Sequence, residues 1–111
     1  MEGFYELSFL EEELMNIRSA VFHSPGENWV SGGDFREQPG IREHVDHYSR
    51  LLESGKLFMG GPFLPPASGG MMIADASMSP EELEAFASED PAVRKGLLRY
   101  EVKSWYIAMS R

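Results

Sequence analysis

The chain has 111 residues, of which 42% are hydrophobic and 25% are charged; these proportions are typical of one globular domain and argue against a disordered, collagen-like or coiled-coil chain. Its formal net charge of -8 disfavours binding to nucleic acid or to anionic lipid, because both depend on clustered Lys and Arg. The absence of cysteine excludes disulfides, Cys-zinc sites, iron–sulfur clusters and thiol nucleophiles.

The N-terminal residues 1–16 predict a short amphipathic helix. Apolar side chains recur there at helical spacing: Phe4, Leu7, Leu10 and Leu14. The segment is acidic where a signal peptide would be basic, and no apolar run approaches the ~20 residues that cross a bilayer. We therefore interpret residues 1–16 as an extension of a domain at 17–111, and we expect a cytoplasmic protein with no membrane or nucleic-acid partner.

Residues 17–23 predict the first strand, which ends at a Ser-Pro-Gly turn. The following loop, 24–40, is rich in Gly and Pro but also holds Trp29 and Phe35. Aromatic side chains in a loop are stabilising only when they are buried, so we expect this loop to fold back over the domain.

Residues 41–54 then predict the clearest helix, with one apolar face made of Ile41, Val45, Tyr48, Leu51 and Leu52.

Two further strands are predicted at 56–60 and 71–76. Ser79-Pro80-Glu81-Glu82 is a typical helix start, with Ser79 as the N-cap. Asp90 before Pro91 predicts the N-cap of a second, short helical turn. Residues 98–109 predict a long last strand, and a change of apolar phase near Ser104 indicates a bulge or a twist.

This order of elements predicts an α+β fold, a βαββαβ unit with four antiparallel strands and two helices on one face. The other face of the sheet carries apolar side chains that the predicted elements leave uncovered. We therefore expect the sheet to pair with a second copy of the chain.

The candidate catalytic group is His44, which shares the inward stripe of its helix with Ile41 and Tyr48. A buried structural histidine would fit the same pattern. His47 lies toward the Arg50 side and is expected to be more exposed. His44 and His47 could together ligate a metal at i, i+3, but no third ligand is identifiable, so we expect no metal and no cofactor.

Two other features have both a structural and a functional interpretation. Asp90 is adequately explained as a helix cap, yet it is also a candidate acid. Gly60-Gly61-Pro62, at the end of a predicted strand, is equally well explained as a turn, yet paired glycines also let a backbone approach a ligand closely.

The order and spacing of several motifs resemble the YCII-related (YciI-like) family, whose relatives include DGPF-type proteins. The matching residues are His44, Gly55, Leu57, Gly60 to Phe63, Gly69-Gly70, Asp90 to Val93, Gly96 and Trp105, with Phe22 to Trp29 and Gln38 upstream. The resemblance covers about residues 17–109. Where DGPF-type members have Asp-Gly-Pro-Phe, this chain has Gly60-Gly61-Pro62-Phe63, so that aspartate is absent here.

The resemblance implies a dimeric α+β barrel of ferredoxin-like subunits, similar to muconolactone-isomerase-type enzymes, in a family that includes a dehydrochlorinase. It also implies a His–Asp pair, carried over by position to His44 and Asp90. The expected function is proton transfer without a cofactor, in an isomerisation or elimination of a small molecule. Expected substrate contacts are Trp29, Tyr48, Gly61, Phe63 and Trp105. The alternative is a non-catalytic dimer that binds a small ligand or a partner domain.

Overall fold

The computed structural model describes residues 16–64 and 68–111. The elements run, in chain order, β1 (Ile17–Pro25), a 3-10 turn (Phe35–Glu37), α1 (Ile41–Glu53), β2 (Leu57–Pro62), β3 (Gly70–Ala74), α2 (Pro80–Ser88), α3 (Pro91–Arg94) and β4 (Leu98–Tyr106). This is the predicted βαββαβ order. The turn predicted at Gly60-Gly61-Pro62 is wrong, because these residues continue β2 and pair with β3. The helix predicted within residues 1–16 lies outside the described residues, apart from Asn16.

The four strands form one sheet in the order β2-β3-β1-β4, and every neighbouring pair is antiparallel. β1 and β4 pair without interruption from Ile17 opposite Tyr106 to Pro25 opposite Leu98. The bulge predicted near Ser104 is therefore wrong. The change of phase arises because Trp105, opposite Arg18, lies on the sheet face turned away from the helices. The register shift of this sheet lies instead in β2, between Leu57 and Met59.

The starts of α2 and α3 follow the sequence signals. Ser79 accepts a hydrogen bond from the Glu82 amide, and the Glu82 carboxylate accepts one from the Ser79 amide, which completes a capping box at α2. Asp90 caps α3 by accepting from the Ala92 amide at 2.9 Å. Within the described ranges, no helix is long and apolar enough to cross a bilayer.

The core lies between the sheet and the helices, and both α1 and α2 cover the same face. It contains Val21, Tyr48, Leu51, Ala74, Met78, Leu83 and Ala87. The predicted inward face of α1 needs one correction, because Val45 is 48% and Leu52 55% exposed. These two side chains lie toward an open cavity instead of the packed core.

Candidate functional site

A cavity of about 250 Å³ lies between α1 and the helix-covered face of the sheet. Its wall is mostly apolar, and its polar side chains come from β1 and α1. The lining residues are His23, Trp29, Phe35, Ile41, His44, Val45, Tyr48, Ser49, Leu52, Leu57, Gly60, Gly61, Pro62, Gly69, Gly70, Met72 and Leu98. A concave, largely apolar site with a few polar groups is typical of small-molecule binding.

The loop before α1 closes one side of this cavity, as the buried-aromatic interpretation predicts. The Gln38 side chain holds the loop together, accepting from the Val30 amide at 2.8 Å and donating to the Val30 carbonyl at 3.0 Å. The start of the loop is attached to the turn before β4, since the Gly26 amide donates to the Leu97 carbonyl. These bonds place Trp29 and Phe35 on the cavity wall.

The predicted contact between His44 and Asp90 is present. His44 Nδ1 lies 2.5 Å from Asp90 Oδ2, while Oδ1 of the same carboxylate caps α3. The two residues are only 8% and 0% exposed. The cap therefore fixes the carboxylate, and the carboxylate fixes the imidazole at the edge of the cavity.

Asp90 is held in its charged form. Burial by itself would raise the pKa of this carboxyl, but the hydrogen bond and charge of His44, together with the Ala92 amide, outweigh it and lower the pKa below its ordinary value. Because an ionised carboxylate can only accept, Nδ1 of His44 carries the shared proton. The other ring nitrogen, Nε2, is then the atom through which His44 can exchange a proton with a ligand.

A second polar pair, His23 with Tyr48, lies next to the first. His23 Nδ1 donates to the Arg99 carbonyl at 3.0 Å, so Nε2 accepts from the Tyr48 hydroxyl at 2.9 Å. The His23 and His44 rings meet edge to face, with centroids 4.9 Å apart. Burial and the neighbouring His44 lower the pKa of His23 to about 4, so His23 is neutral near pH 7.

Tyr48 contributes a hydroxyl that keeps its proton. Burial and the Asp90 charge raise the pKa of this phenol well above its ordinary value. Its proton is directed at His23, which leaves the oxygen lone pairs available on the cavity side. The site thus combines one carboxylate, two imidazoles and one neutral phenol within a largely apolar wall.

The other predicted substrate contacts divide into two groups. Trp29, Tyr48 and Gly61 line the cavity. Phe63 and Trp105 do not line it; they are 45% and 43% exposed, beyond the end of β2 and on β4 respectively.

His47 is not more exposed than His44, contrary to the prediction, for it is only 5% exposed. Its Nε2 donates to the Phe86 carbonyl at 2.7 Å, and its ring stacks on the Phe86 ring with centroids 3.9 Å apart. The helical periodicity of α1 alone could not indicate that α2 covers this side of the helix.

Sequence reasoning missed His23, although the signal was present. Ser19, Val21 and His23 alternate along β1, and Val21 is an inward core residue, so His23 shares its face. His23, His44 and Asp90 offer three ligand atoms within 4.8 Å of one another, a set that could hold a metal ion. The His44–His47 pair considered from spacing does not fit as well, because His47 Nε2 is directed at Phe86.

Comparisons of the sequence and of the fold with known proteins identify the family of this chain. Among solved structures, the chain is similar to the 5-chloro-2-hydroxyhydroquinone dehydrochlorinase TftG from Burkholderia phenoliruptrix AC1100, in complex with 2,5-dihydroxybenzoquinone. The TM-score is 0.52 at 22% sequence identity, over 78% of this chain and 92% of that chain, a likeness that concerns the fold. No curated protein matches the sequence. The family model described as the YCII-related domain matches residues 21–106, and the chain therefore belongs to the YCII-related family.

Proposed function

We propose that this protein is a small-molecule enzyme that transfers a proton through the His44–Asp90 pair. The observation that carries the proposal is the buried carboxylate 2.5 Å from Nδ1 of an imidazole that borders an apolar cavity. An anion in that position fixes the ring orientation and stabilises the imidazolium that forms when Nε2 accepts a proton.

The reaction class follows from what the pair can do. His44 Nε2 takes a proton from an O–H or C–H group of the substrate, and the electron pair left behind shifts into the substrate. In an isomerisation the proton returns from Nε2 to another atom. In an elimination the electron pair expels a leaving group as an anion, so that the substrate loses a proton and an anion together. The likeness in fold to a dehydrochlorinase supports elimination as the first reaction to test.

The test is chloride release from 5-chloro-2-hydroxyhydroquinone by the purified protein, compared with His44→Gln and Asp90→Asn. We expect His44→Gln to lower kcat about 100-fold or more, since it removes the proton acceptor. Asp90→Asn should also lower kcat, because a neutral amide no longer stabilises the imidazolium, although its oxygen can still cap α3. His47→Gln is the matched control, a buried histidine of the same helix outside the cavity.

Unfolding curves of all three variants separate lost chemistry from lost structure. A folded His44→Gln variant that keeps its activity would contradict the proposal. Binding of ring compounds at the cavity with no turnover of any of them would favour the alternative, a non-catalytic ligand-binding dimer.

We further propose that the sheet face turned away from α1 and α2 pairs with a second copy in a dimeric barrel. That face carries Phe58, Met59 and Trp105, which are 51%, 52% and 43% exposed. Phe58 is stacked under Arg18, whose strand neighbour is Trp105, so the two aromatic side chains lie on the same face beside one guanidinium. An area of this kind is typical of an interaction surface.

Sedimentation at micromolar concentration should give twice the 12.5 kDa chain mass or a multiple of it. Trp105→Glu should weaken the association, because it places a charge in the interface. Met109→Glu, at a side chain 90% exposed near the C-terminus, is the control. A 12.5 kDa species alone in the unmodified protein would refute the dimer.

A further inference from the structure

Three buried side chains at the polar end of the cavity form a set of metal-binding donors. His23, His44 and Asp90 are 4%, 8% and 0% exposed, and each offers one ligand atom within 4.8 Å of those of the other two. In a tetrahedral zinc site, bonds of about 2.0–2.2 Å place neighbouring ligand atoms roughly 3.4 Å apart, so side-chain shifts of about 1 Å would close this set around one ion.

His23 already has the orientation of a metal ligand. Its Nδ1 donates to the Arg99 carbonyl at 3.0 Å, which leaves Nε2 as the unprotonated nitrogen. A hydrogen bond of this kind from the second ring nitrogen is the usual support of a metal-binding histidine, because it fixes the tautomer and the ring orientation. The Tyr48 hydroxyl donates to Nε2 at 2.9 Å, so its proton must turn away when an ion binds there. Proton transfer through His44 gives His23 no role, whereas a metal site uses both of its nitrogens.

Asp90 supplies the negative charge of the set. Its Oδ1 accepts from the Ala92 amide, and its Oδ2 faces the His44 ring. Neither Lys nor Arg lines the cavity among the described residues, and residues 1–15 and 65–67 contain neither in their sequence, so no side chain of the wall repels a cation there. A divalent cation would balance the buried charge of the carboxylate.

The donor types and the cavity determine the class of ion. Two imidazole nitrogens and one carboxylate oxygen suit Zn²⁺ and similar transition-metal ions, whereas Mg²⁺ and Ca²⁺ prefer oxygen ligands. Three protein ligands leave a fourth position, and His23 and His44 both line the cavity. Water or a small ligand can therefore reach the ion from the cavity.

We propose that His23, His44 and Asp90 bind a divalent transition-metal ion of the Zn²⁺ type, and that the bound ion blocks proton transfer through His44. Either nitrogen of His44 gives this result. An ion on Nε2 takes the atom that accepts the substrate proton, and an ion on Nδ1 releases to water the proton shared with Asp90. The blocking effect rests on the proposed function, whereas binding of the ion does not.

Binding is measured by titration of the metal-free protein with Zn²⁺ alone and by NMR of the labelled histidines. We expect one ion per chain, with the ring signals of His23 and His44 shifting and that of His47 unchanged. Mg²⁺ at the same concentration should not bind. Equal binding of Mg²⁺ would indicate only a general attraction of cations to a chain of net charge -8 and would overturn the proposal, as would a shift of His47 alone or the absence of saturable binding.

His23→Gln removes one ligand and leaves the His44–Asp90 pair in place. Loss of an outer-shell partner already weakens metal binding about 10–100-fold, so loss of a direct ligand should weaken Zn²⁺ binding by about 100-fold or more. His47→Gln is the matched control, a buried histidine outside the cavity, and should bind Zn²⁺ as the unmodified protein does. Unfolding curves establish that both variants are folded. Unchanged Zn²⁺ affinity in folded His23→Gln would overturn the proposal, and the NMR titration of the unmodified protein decides it if that variant does not fold.

The blocking effect is measured as chloride release from 5-chloro-2-hydroxyhydroquinone, with one equivalent of Zn²⁺ and again after a chelator is added. We expect Zn²⁺ to abolish the release and the chelator to restore it. Activity that requires Zn²⁺ would overturn the blocking effect. Absence of chloride release under both conditions would count against the proposed function and against the blocking effect that rests on it, while the titration still decides whether the site binds metal.

Discussion

At the scale of single residues, Asp90 joins the structure of the domain to its chemistry. One carboxylate oxygen caps α3 through the Ala92 amide and the other holds His44. The sequence pattern alone supports the helix cap, and the structure adds the contact with His44. The two interpretations are therefore compatible, because each uses a different oxygen of the same buried group.

His23 makes stability dependent on pH. Its folded-state pKa is about 4, below the ordinary value of 6.5, so the unfolded chain takes up a proton first as the pH falls. The contribution of the neutral His23 ring to folding stability is complete above pH 6.5 and is lost as the pH falls toward 4. From the size of the shift we expect a loss of about 3 kcal/mol in the free energy of unfolding across that window.

Denaturant unfolding at several pH values measures how the free energy of unfolding depends on pH, and His23→Asn should reduce that dependence. NMR of the His23 ring gives an independent measurement, in which the ring stays neutral until the pH approaches about 4. If the free energy of unfolding falls equally with pH in the variant and in the unmodified protein, another group causes the loss of stability.

The three histidines show what residue patterns can predict. His44 could be identified because helical spacing and the family pattern agree on it. His23 is the last residue of the predicted strand at 17–23, and its inward side follows from the alternation with Ser19 and Val21; the observed strand continues to Pro25. The burial of His47 depends on α2, 39 positions away along the chain, and no local pattern of α1 contains that information.

At the scale of elements, local signals predict helix starts well and strand register poorly. The capping box at Ser79 uses atoms within four residues, so it can be predicted from the sequence. The register of β4 depends on its pairing with β1, and the exposed Trp105 gave the appearance of an irregularity that the ladder does not have. The shift in β2, between Leu57 and Met59, has no comparable signal.

Neighbouring glycines in β2 should differ in their tolerance of a side chain. A Cβ at Gly60 would meet the Met72 sulfur, and the Met71 carbonyl oxygen at 3.0 Å, whereas a Cβ at Gly61 would meet nothing within 4 Å. Gly60→Ala should therefore lower the free energy of unfolding by about 1–3 kcal/mol through overpacking. Gly61→Ala should change it by less than about 0.5 kcal/mol.

Thermal and denaturant unfolding of both variants test this difference. Because Gly60 and Met72 both line the cavity, Gly60→Ala should also weaken binding of ring compounds there as the Met72 side chain is displaced. Equal stability of the two variants would show that β2, at the sheet edge, adjusts its position at little cost.

At the scale of the whole molecule, the architecture was predictable because element order restricts topology. Two βαβ-type units lead to few arrangements, and the observed β2-β3-β1-β4 order is the ferredoxin-like one. The cavity was harder to predict. Its walls come from all four strands, the loop after β1 and α1, and their separation depends on how tightly the helix packs against the sheet.

The domain should fold without the residues that precede Met15. The buried clusters of the described chain are built from Val21, in β1, through Leu98, in β4, and the family match starts at residue 21. A chain that begins at Met15 also keeps Asn16, whose carbonyl accepts from the Ile107 amide. We expect it to unfold cooperatively, with a loss of at most about 3 kcal/mol from any apolar surface that the extension buries.

A chain that begins at Phe22 is the matched comparison: it lacks half of β1, which pairs with both β3 and β4, and should not fold. Circular dichroism and denaturant unfolding distinguish the two, and an unfolded Met15 chain would show that the extension belongs to the core.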